Sequence, residues 1–184
     1  DPIQKLFSFD DGERVVAAWS LDSRLPIPET LIAVSKQGFG LRFAMEPHRE
    51  ASTRSGRRYA KPATGDELIG VAACAPKSLV AVLSRKTAAL VCRAEEINEL
   101  AGPGKGVTVI KLADDDEVVG FVSSIKKDAS LVYETTKGRE LTLSPAKYEV
   151  TSRGGKGREM SKKDEVKSIR QPLDLLALPS VETK

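Results

Sequence analysis

Histidine, cysteine, methionine and tryptophan are nearly missing: the 184 residues hold one His, two Cys, two Met and one Trp. The lone His48 excludes a catalytic triad and a multi-histidine metal site, and beside Pro47 in a basic connector it reads as an exposed loop residue. Cys74 and Cys92 lack metal-ligand spacing and fall inside apolar runs, which fits small buried hydrophobes in a reducing cytoplasm. Long apolar runs are absent too. The longest, such as Leu79 to Leu83, are far too short to cross a bilayer, and nothing at the N-terminus reads as a signal peptide. Helical periodicity is nearly lacking; only residues 93–100, with Ala94 and Ile97 inward, have room for two helical turns. Gly102-Pro103-Gly104-Lys105-Gly106 has no Gly-Lys-Ser/Thr ending and no following helix, so it is not a nucleotide-binding phosphate loop. Asp114-Asp115-Asp116-Glu117 lacks the alternating oxygen ligands of a calcium loop. Tyr59, Tyr133 and Tyr148 have no base or metal cluster beside them. No catalytic set remains, so the chain is expected not to be an enzyme on its own, and neither metal nor small-molecule substrate is expected. Beginning at Asp1 without a Met, it reads as an excised fragment.

What is present is a soluble composition, 40% hydrophobic and 30% charged, with charge clustered along the chain. The formal net charge is only +3. Residues 1–30 carry three cations against six anions, whereas residues 36–61 carry seven against two and residues 137–163 eight against three. Clustering of this kind is the electrostatic footprint of a polyanion binder, and a solvated basic edge produces it as well.

The chain opens with an apparent hairpin: Gln4-Lys5-Leu6-Phe7-Ser8-Phe9, then Asp10-Asp11-Gly12, then Arg14-Val15-Val16-Ala17-Ala18-Trp19. Residues 21–30, with Pro26 and Pro28, read as a connecting loop. Three passes through one pattern follow. Each begins with an apolar strand: Leu31-Ile32-Ala33-Val34, Leu79-Val80-Ala81-Val82-Leu83, Leu131-Val132-Tyr133. A hydroxyl-led turn comes next: Ser35-Lys36-Gln37-Gly38, Ser84-Arg85-Lys86-Thr87, Thr135-Thr136-Lys137-Gly138. A return strand is centred on Leu41 and Phe43, on Leu90 and Val91, and on Leu141 and Leu143. A connector then leads to a turn of glycines and cations: Ser55-Gly56-Arg57-Arg58, Gly102-Pro103-Gly104-Lys105-Gly106, Ser152-Arg153-Gly154-Gly155-Lys156-Gly157-Arg158. An acidic turn into a further apolar segment closes each pass, at Asp66-Glu67, Asp116-Glu117 and Asp164-Glu165. Ser35 to Ser84 is 49 residues and Ser84 to Thr135 is 51; Asp66 to Asp116 to Asp164 gives 50 and 48. A shared period near these values in an all-β pattern marks the blades of a propeller-like array.

The expected fold is therefore all-β, a propeller-like wheel of three to four blades of four-stranded antiparallel sheet. Residues 3–170 form one domain, made of a half-repeat (3–30) and three repeats (31–78, 79–130, 131–170), followed by a tail (171–184). In the tail, Pro172 and Pro179 bracket an apolar segment able to pack back as an edge strand or short helix. The basic residues Arg54, Arg57, Arg58 and Lys61, then Lys105 and Lys111, then Arg153, Lys156, Arg158, Lys162 and Lys163 recur at equivalent places and would line one rim. Arg42, Arg85, Lys86, Lys137 and Arg139 in the hairpins complete the candidate DNA-binding set. A row of cations at blade spacing suits a phosphate backbone and gives affinity with little sequence information. The alternative is a propeller-like scaffold whose basic rim binds an acidic protein.

The order of apolar strand, Thr/Ser-x-x-Gly hairpin, Arg/Gly/Lys turn and Asp-Glu-Val closure resembles the C-terminal β-pinwheel of bacterial type IIA topoisomerase A subunits, those of DNA gyrase and topoisomerase IV. The resemblance runs from Ile3 to about Ile169 and implies a non-catalytic domain that binds duplex DNA, bends or wraps it, and presents a segment to a cleavage core. It also implies that the core, an ATPase subunit, ATP and magnesium belong to other parts of a parent enzyme in the cytoplasm, at the nucleoid. Gyrase carries a Gln-Arg-Arg-Gly-Gly-Arg-Gly box that drives chiral wrapping, usually in its first blade. The nearest match here, Thr151-Ser152-Arg153-Gly154-Gly155-Lys156-Gly157, lies in the last repeat, lacks the Gln and has one Arg fewer, which leans the resemblance toward topoisomerase IV.

Overall fold

Short runs rich in Val, Leu and Ile, each closed by a polar turn, form strands throughout the chain. The computed structural model describes residues 5, 8–9, 11–50, 56–124 and 129–170. In chain order the strands are β1 (Thr30–Ser35), β2 (Phe39–Ala44), β3 (Leu68–Ala73), β4 (Leu79–Ser84), β5 (Ala88–Arg93), β6 (Val107–Thr108), β7 (Val118–Ser124), β8 (Leu131–Thr135), β9 (Glu140–Leu143), β10 (Arg158–Glu159) and β11 (Val166–Arg170). They form three sheets, ordered β3-β1-β2-β6, β10-β5-β4-β7 and β11-β8-β9. Within each sheet a hairpin and the closing strand of the same repeat pair antiparallel.

The fourth strand of a blade comes from the next repeat. β6 lies on β2, with Phe39 opposite Thr108 and Gly40 opposite Val107. β10 lies on β5, with Ala88 opposite Glu159 and Ala89 opposite Arg158. The expected four-stranded blades thus arise by exchange. The second and third glycine and cation turns each run straight into a two-residue strand seated on the blade before it, and the third sheet has three strands among the described residues.

Packing of the sheets face to face explains why the central strands are buried at consecutive positions. In β1, Ile32 and Val34 face the second blade and join Val80, Val82, Leu90 and Phe121, while Leu31 and Ala33 pack on the other side with Leu41, Phe43 and Met45. In β4, Ala81 and Leu83 face the third blade, against Leu131, Tyr133, Leu143 and Val166. A strand covered on both faces needs apolar residues at every position. Cys74 and Cys92 are buried, and burial pushes the Cys92 thiol up to about 12.

The hairpin turns share one construction. The hydroxyls of Ser35, Ser84 and Thr135 accept hydrogen bonds from the backbone N–H of Phe39, Ala88 and Arg139, four residues on. The acidic turns then clamp them from below. Asp66 accepts from the N–H groups of Gln37 and Glu67, Asp116 from those of Lys86 and Glu117, and Asp164 from those of Lys137 and Glu165.

Three expectations change. Residues 14–19 form no strand; Val15 and Trp19 are exposed, and no described residue offers them a ladder partner. The other half of that hairpin lies mostly outside the described residues, as does the tail at 171–184. The helix at 93–100 reduces to a 3-10 turn at Ala94–Glu96, because Ile97 returns to extended backbone. His48 is half-buried at the end of the 3-10 turn Glu46–His48, edge-on to Phe43 and Tyr59 at 5.4 and 6.1 Å.

Candidate nucleic-acid interface

Gly106 and Gly157 begin the two exchanged segments with φ of +82° and +71°, and Gly56 stands at the matching place of the first repeat with φ of +70°. At Gly106 an added methyl would meet the Gly40 carbonyl at 2.2 Å, and at Gly157 the Ala89 carbonyl at 2.6 Å. Glycine is required there because the chain must turn left-handed directly onto a neighbouring strand. The segments are also tied to one another: the N–H of Lys61 donates to Gly104 O, and that of Lys111 to Gly155 O, both at 2.8 Å. The outermost edge of the molecule is thus a relay in which each segment holds the next.

That edge displays cations at matching places. Lys61, Lys111 and Lys162 each follow the left-handed glycine of their repeat by the same number of residues and are exposed. Lys105 and Lys156 stand just ahead of theirs, and Lys105 Nζ lies 3.7 Å from the centre of the Phe39 ring. Lys111 and Lys156 line a common cleft of about 510 Å3 with Lys86, Asp114, Asp116 and Glu159. Arg58, Lys61, Lys111, Lys156, Arg158, Lys162 and Lys163 are exposed, and none of their side-chain nitrogens has a hydrogen-bond or ion-pair partner among the described residues.

The remaining members of the sequence-selected set are engaged with protein. Arg42, its side chain only 15% exposed, donates to Ile97 O at 2.7 Å and pairs with Glu99 at 3.4 Å. Arg85 holds Glu117 at 2.7 Å and reaches Val166 O at 3.1 Å, joining blades two and three. Lys86 pairs with Asp115, Arg57 donates to Pro47 O, and Lys137 donates to Lys163 O. Arg139 donates to Asp164 at 2.7 Å and to Ser161. Arg153 turns inward: its guanidinium donates to Glu96 O at 2.6 Å and Thr108 O at 3.2 Å, and its backbone N–H to the Glu96 carboxylate at 3.2 Å. Within the glycine and cation turn of the third repeat, therefore, Arg153 is a bracket while Lys156 and Arg158 face solvent. Arg54 lies outside the described residues.

Lys36 is missing from the sequence-selected set. It bridges Glu67 at 3.3 Å and Glu117 at 3.0 Å, across blades one and two. Its position in the hairpin turn, matching that of Arg85, is the signal that could have found it. Hydrogen bonds from Arg85 and then Lys36 hold the Glu117 carboxyl below its ordinary value. Burial would raise the Asp164 carboxyl, but hydrogen bonds from Arg139, Thr136 and Thr135 outweigh it and hold the group well below the usual carboxylate range.

The model of the DNA gyrase C-terminal domain, beta-propeller, matches residues 89–124, which run from β5 to β7. The C-terminal domain of DNA topoisomerase IV superposes with a TM-score of 0.76 at 16% identity, over 92% of this chain and 54% of that one. The DNA gyrase A C-terminal domain gives 0.55 at 13% identity, over 92% and 74%. The E. coli ParC C-terminal domain gives 0.56 at 17%, over 77% and 61%. No curated protein sequence matches the chain. The chain spans about half, 54%, of the length of the topoisomerase IV domain. At these identities the likeness is one of fold, and it is the fold of gyrase A and topoisomerase IV C-terminal domains that the sequence resembles.

Proposed function

We propose that this chain is the duplex-DNA-binding C-terminal domain of a bacterial type IIA topoisomerase A subunit, non-catalytic in itself. The observation that carries the reading is the recurrence, at the same place in each repeat, of an exposed lysine whose side chain has no partner among the described residues, Lys61, Lys111 and Lys162, flanked by Arg58, Lys156 and Arg158. A curved line of such charges matches a bent phosphate backbone, and bending the duplex costs on the order of 1–6 kcal/mol, offset by the added contacts. A topoisomerase IV-like parent fits best, because the nearest stretch to a gyrase box lacks its Gln and turns Arg153 inward. In that reading the domain hands a DNA segment to a cleavage core, beside an ATPase subunit using ATP and magnesium, in the bacterial cytoplasm at the nucleoid.

Salt-dependent duplex binding tests it. Binding should be indifferent to sequence, and Lys111→Glu, Lys156→Glu, Arg158→Glu and Lys162→Glu together should flatten the plot of log affinity against log salt by roughly 0.9 for each phosphate that is no longer neutralised. Unchanged binding by the quadruple variant would overturn the interface. An acidic protein captured by the wild type, with no duplex binding, would favour the scaffold alternative. For the parent enzyme, loss of decatenation with relaxation kept, on removal of this domain, marks a topoisomerase IV.

A further inference from the structure

The three hairpins are built alike but differ at the residue that follows the left-handed turn position, which is Phe39, Ala88 or Arg139. In blade one the Phe39 ring carries the Lys105 ammonium at 3.7 Å from its centre. In blade three Arg139 donates to Asp164 at 2.7 Å. In blade two the alanine fills no space and offers no ring to Lys156, the counterpart of Lys105. Ala88 and Lys156 instead line the cleft of about 510 Å3, together with Lys86, Lys111 and Leu112.

The residue before the left-handed position differs as well. Gln37 donates through its side chain to Gly65 O at 3.4 Å, and Lys137 to Lys163 O. Lys86 pairs with a carboxylate instead, that of Asp115, whose side chain is 78% exposed. Of the three, it is therefore the one that already holds an oxyanion, and it does so at the wall of an open cleft. Asp115 pairs with no other lysine of that cleft, so the Lys111 and Lys156 ammonium groups stay unsatisfied. The other carboxylates of the lining balance these charges. Asp116 accepts from the backbone N–H groups of Lys86 and Glu117, while Asp114 and Glu159 lie exposed. The cleft is thus close to neutral while Asp115 holds Lys86, and an exposed ion pair of this kind is weakly held.

We infer that the blade-two cleft is a seat for one backbone phosphate of the duplex, opened by Ala88 and blocked at rest by Asp115. The inference rests on the DNA-binding reading above. A phosphate takes Lys86 from the Asp115 carboxylate and, unlike that carboxylate, accepts from Lys111 and Lys156 as well, in charge-assisted hydrogen bonds. The apolar part of the lining, Ala88 and Leu112, suits the deoxyribose beside it. The blades then contribute unequally: blade one keeps Lys105 on its own ring, and blade two adds a contact only when DNA displaces an internal competitor.

Duplex binding by the 184-residue chain over a salt series tests the seat. Ala88→Phe, which copies blade one, and Lys86→Gln should each flatten the plot of log affinity against log salt by roughly 0.9, the contribution of one phosphate. Asp115→Asn should tighten binding. That gain should disappear in a Lys86→Gln background, which separates release of Lys86 from general loss of a negative charge. Circular dichroism and thermal melts check the fold of each variant, and if Ala88→Phe does not fold, the cycle between Lys86→Gln and Asp115→Asn decides alone. A wild-type slope in the folded single variants Ala88→Phe and Lys86→Gln overturns the seat and leaves the rim standing. So does a gain from Asp115→Asn that is equal with and without Lys86. A wild-type chain with no salt-dependent duplex binding overturns the DNA-binding reading itself, and the seat with it.

Discussion

Asp164 shows how far one repeated residue has been given over to structure. Its side chain is inaccessible to solvent and accepts from Thr136, Arg139, Ser161 and the Glu165 N–H. Because its folded-state carboxyl lies below the ordinary value, the ionised form favours folding. That contribution is complete above the unfolded-state value near 4 and is lost as pH falls below it. Thermal melts at neutral pH should show Asp164→Asn less stable than wild type, and the gap should narrow as pH drops from about 5 to about 2. A constant gap would place the effect in packing rather than charge. Tyr133 is the opposite case: its hydroxyl is buried with no hydrogen-bond partner among the described residues, and burial pushes it up to about 12. Tyr133→Phe should therefore change stability by no more than about 1 kcal/mol in chemical denaturation, with either sign, since no bond is broken.

At the scale of the element, the two exchanged segments are held differently: Val107 packs on the core and Val109 and Ile110 directly after β6 are fully buried, whereas β10 is held by its backbone bonds to β5. β6 and β10 have two residues each, and the side chains of β10 are exposed. Gly157→Ala sets a Cβ 2.6 Å from the Ala89 carbonyl in a left-handed conformation, at a cost of roughly 1–3 kcal/mol by thermal melt. Gly56→Ala, with a similar φ and open space around it, should cost less in the isolated chain. These segments also mark the boundary of what the sequence conveyed. The hairpins were readable because hydroxyl, glycine and apolar strand keep a fixed order, and the acidic turns because they recur in register. A two-residue strand has no periodicity to read, so the glycine and cation turns looked like connectors within their own repeat. The same gap explains the basic set. Sequence placed Arg85, Arg139 and Arg153 beside Lys156 and Lys162, but whether a cation faces a carbonyl or solvent depends on which blade lies against it, and the exchange decides that.

For the whole molecule, the shared strands and the two clusters between blades make the three sheets one cooperative body. Leu83, fully buried between blades two and three, is the place to test it. Leu83→Ala should lower stability by about 2–5 kcal/mol and move a single calorimetric transition, whereas two separated transitions would mean that the blades melt independently. The rim follows from the same arrangement. Because Lys61 and Lys111 are each bonded through their backbone to the next segment, the spacing between the free cations is set by the fold and not by flexible loops. If the proposed DNA-binding reading holds, a substitution that loosens one bracket, such as Arg153→Ala, should alter both melting and the DNA footprint, while Lys111→Glu should alter only the second.

The exchange of outer strands also sets an order of birth. As a chain leaves the ribosome from its N-terminus, the hairpin of blade one is complete at Ala44 and its closing strand at Ala73, yet the edge of β2 stays open until Thr108 has emerged. Blade two likewise waits for Glu159. At every moment of synthesis the newest blade carries a bare, hydrogen-bonding edge, so a pause or truncation anywhere between residues 73 and 108 leaves nascent chains able to stick to one another.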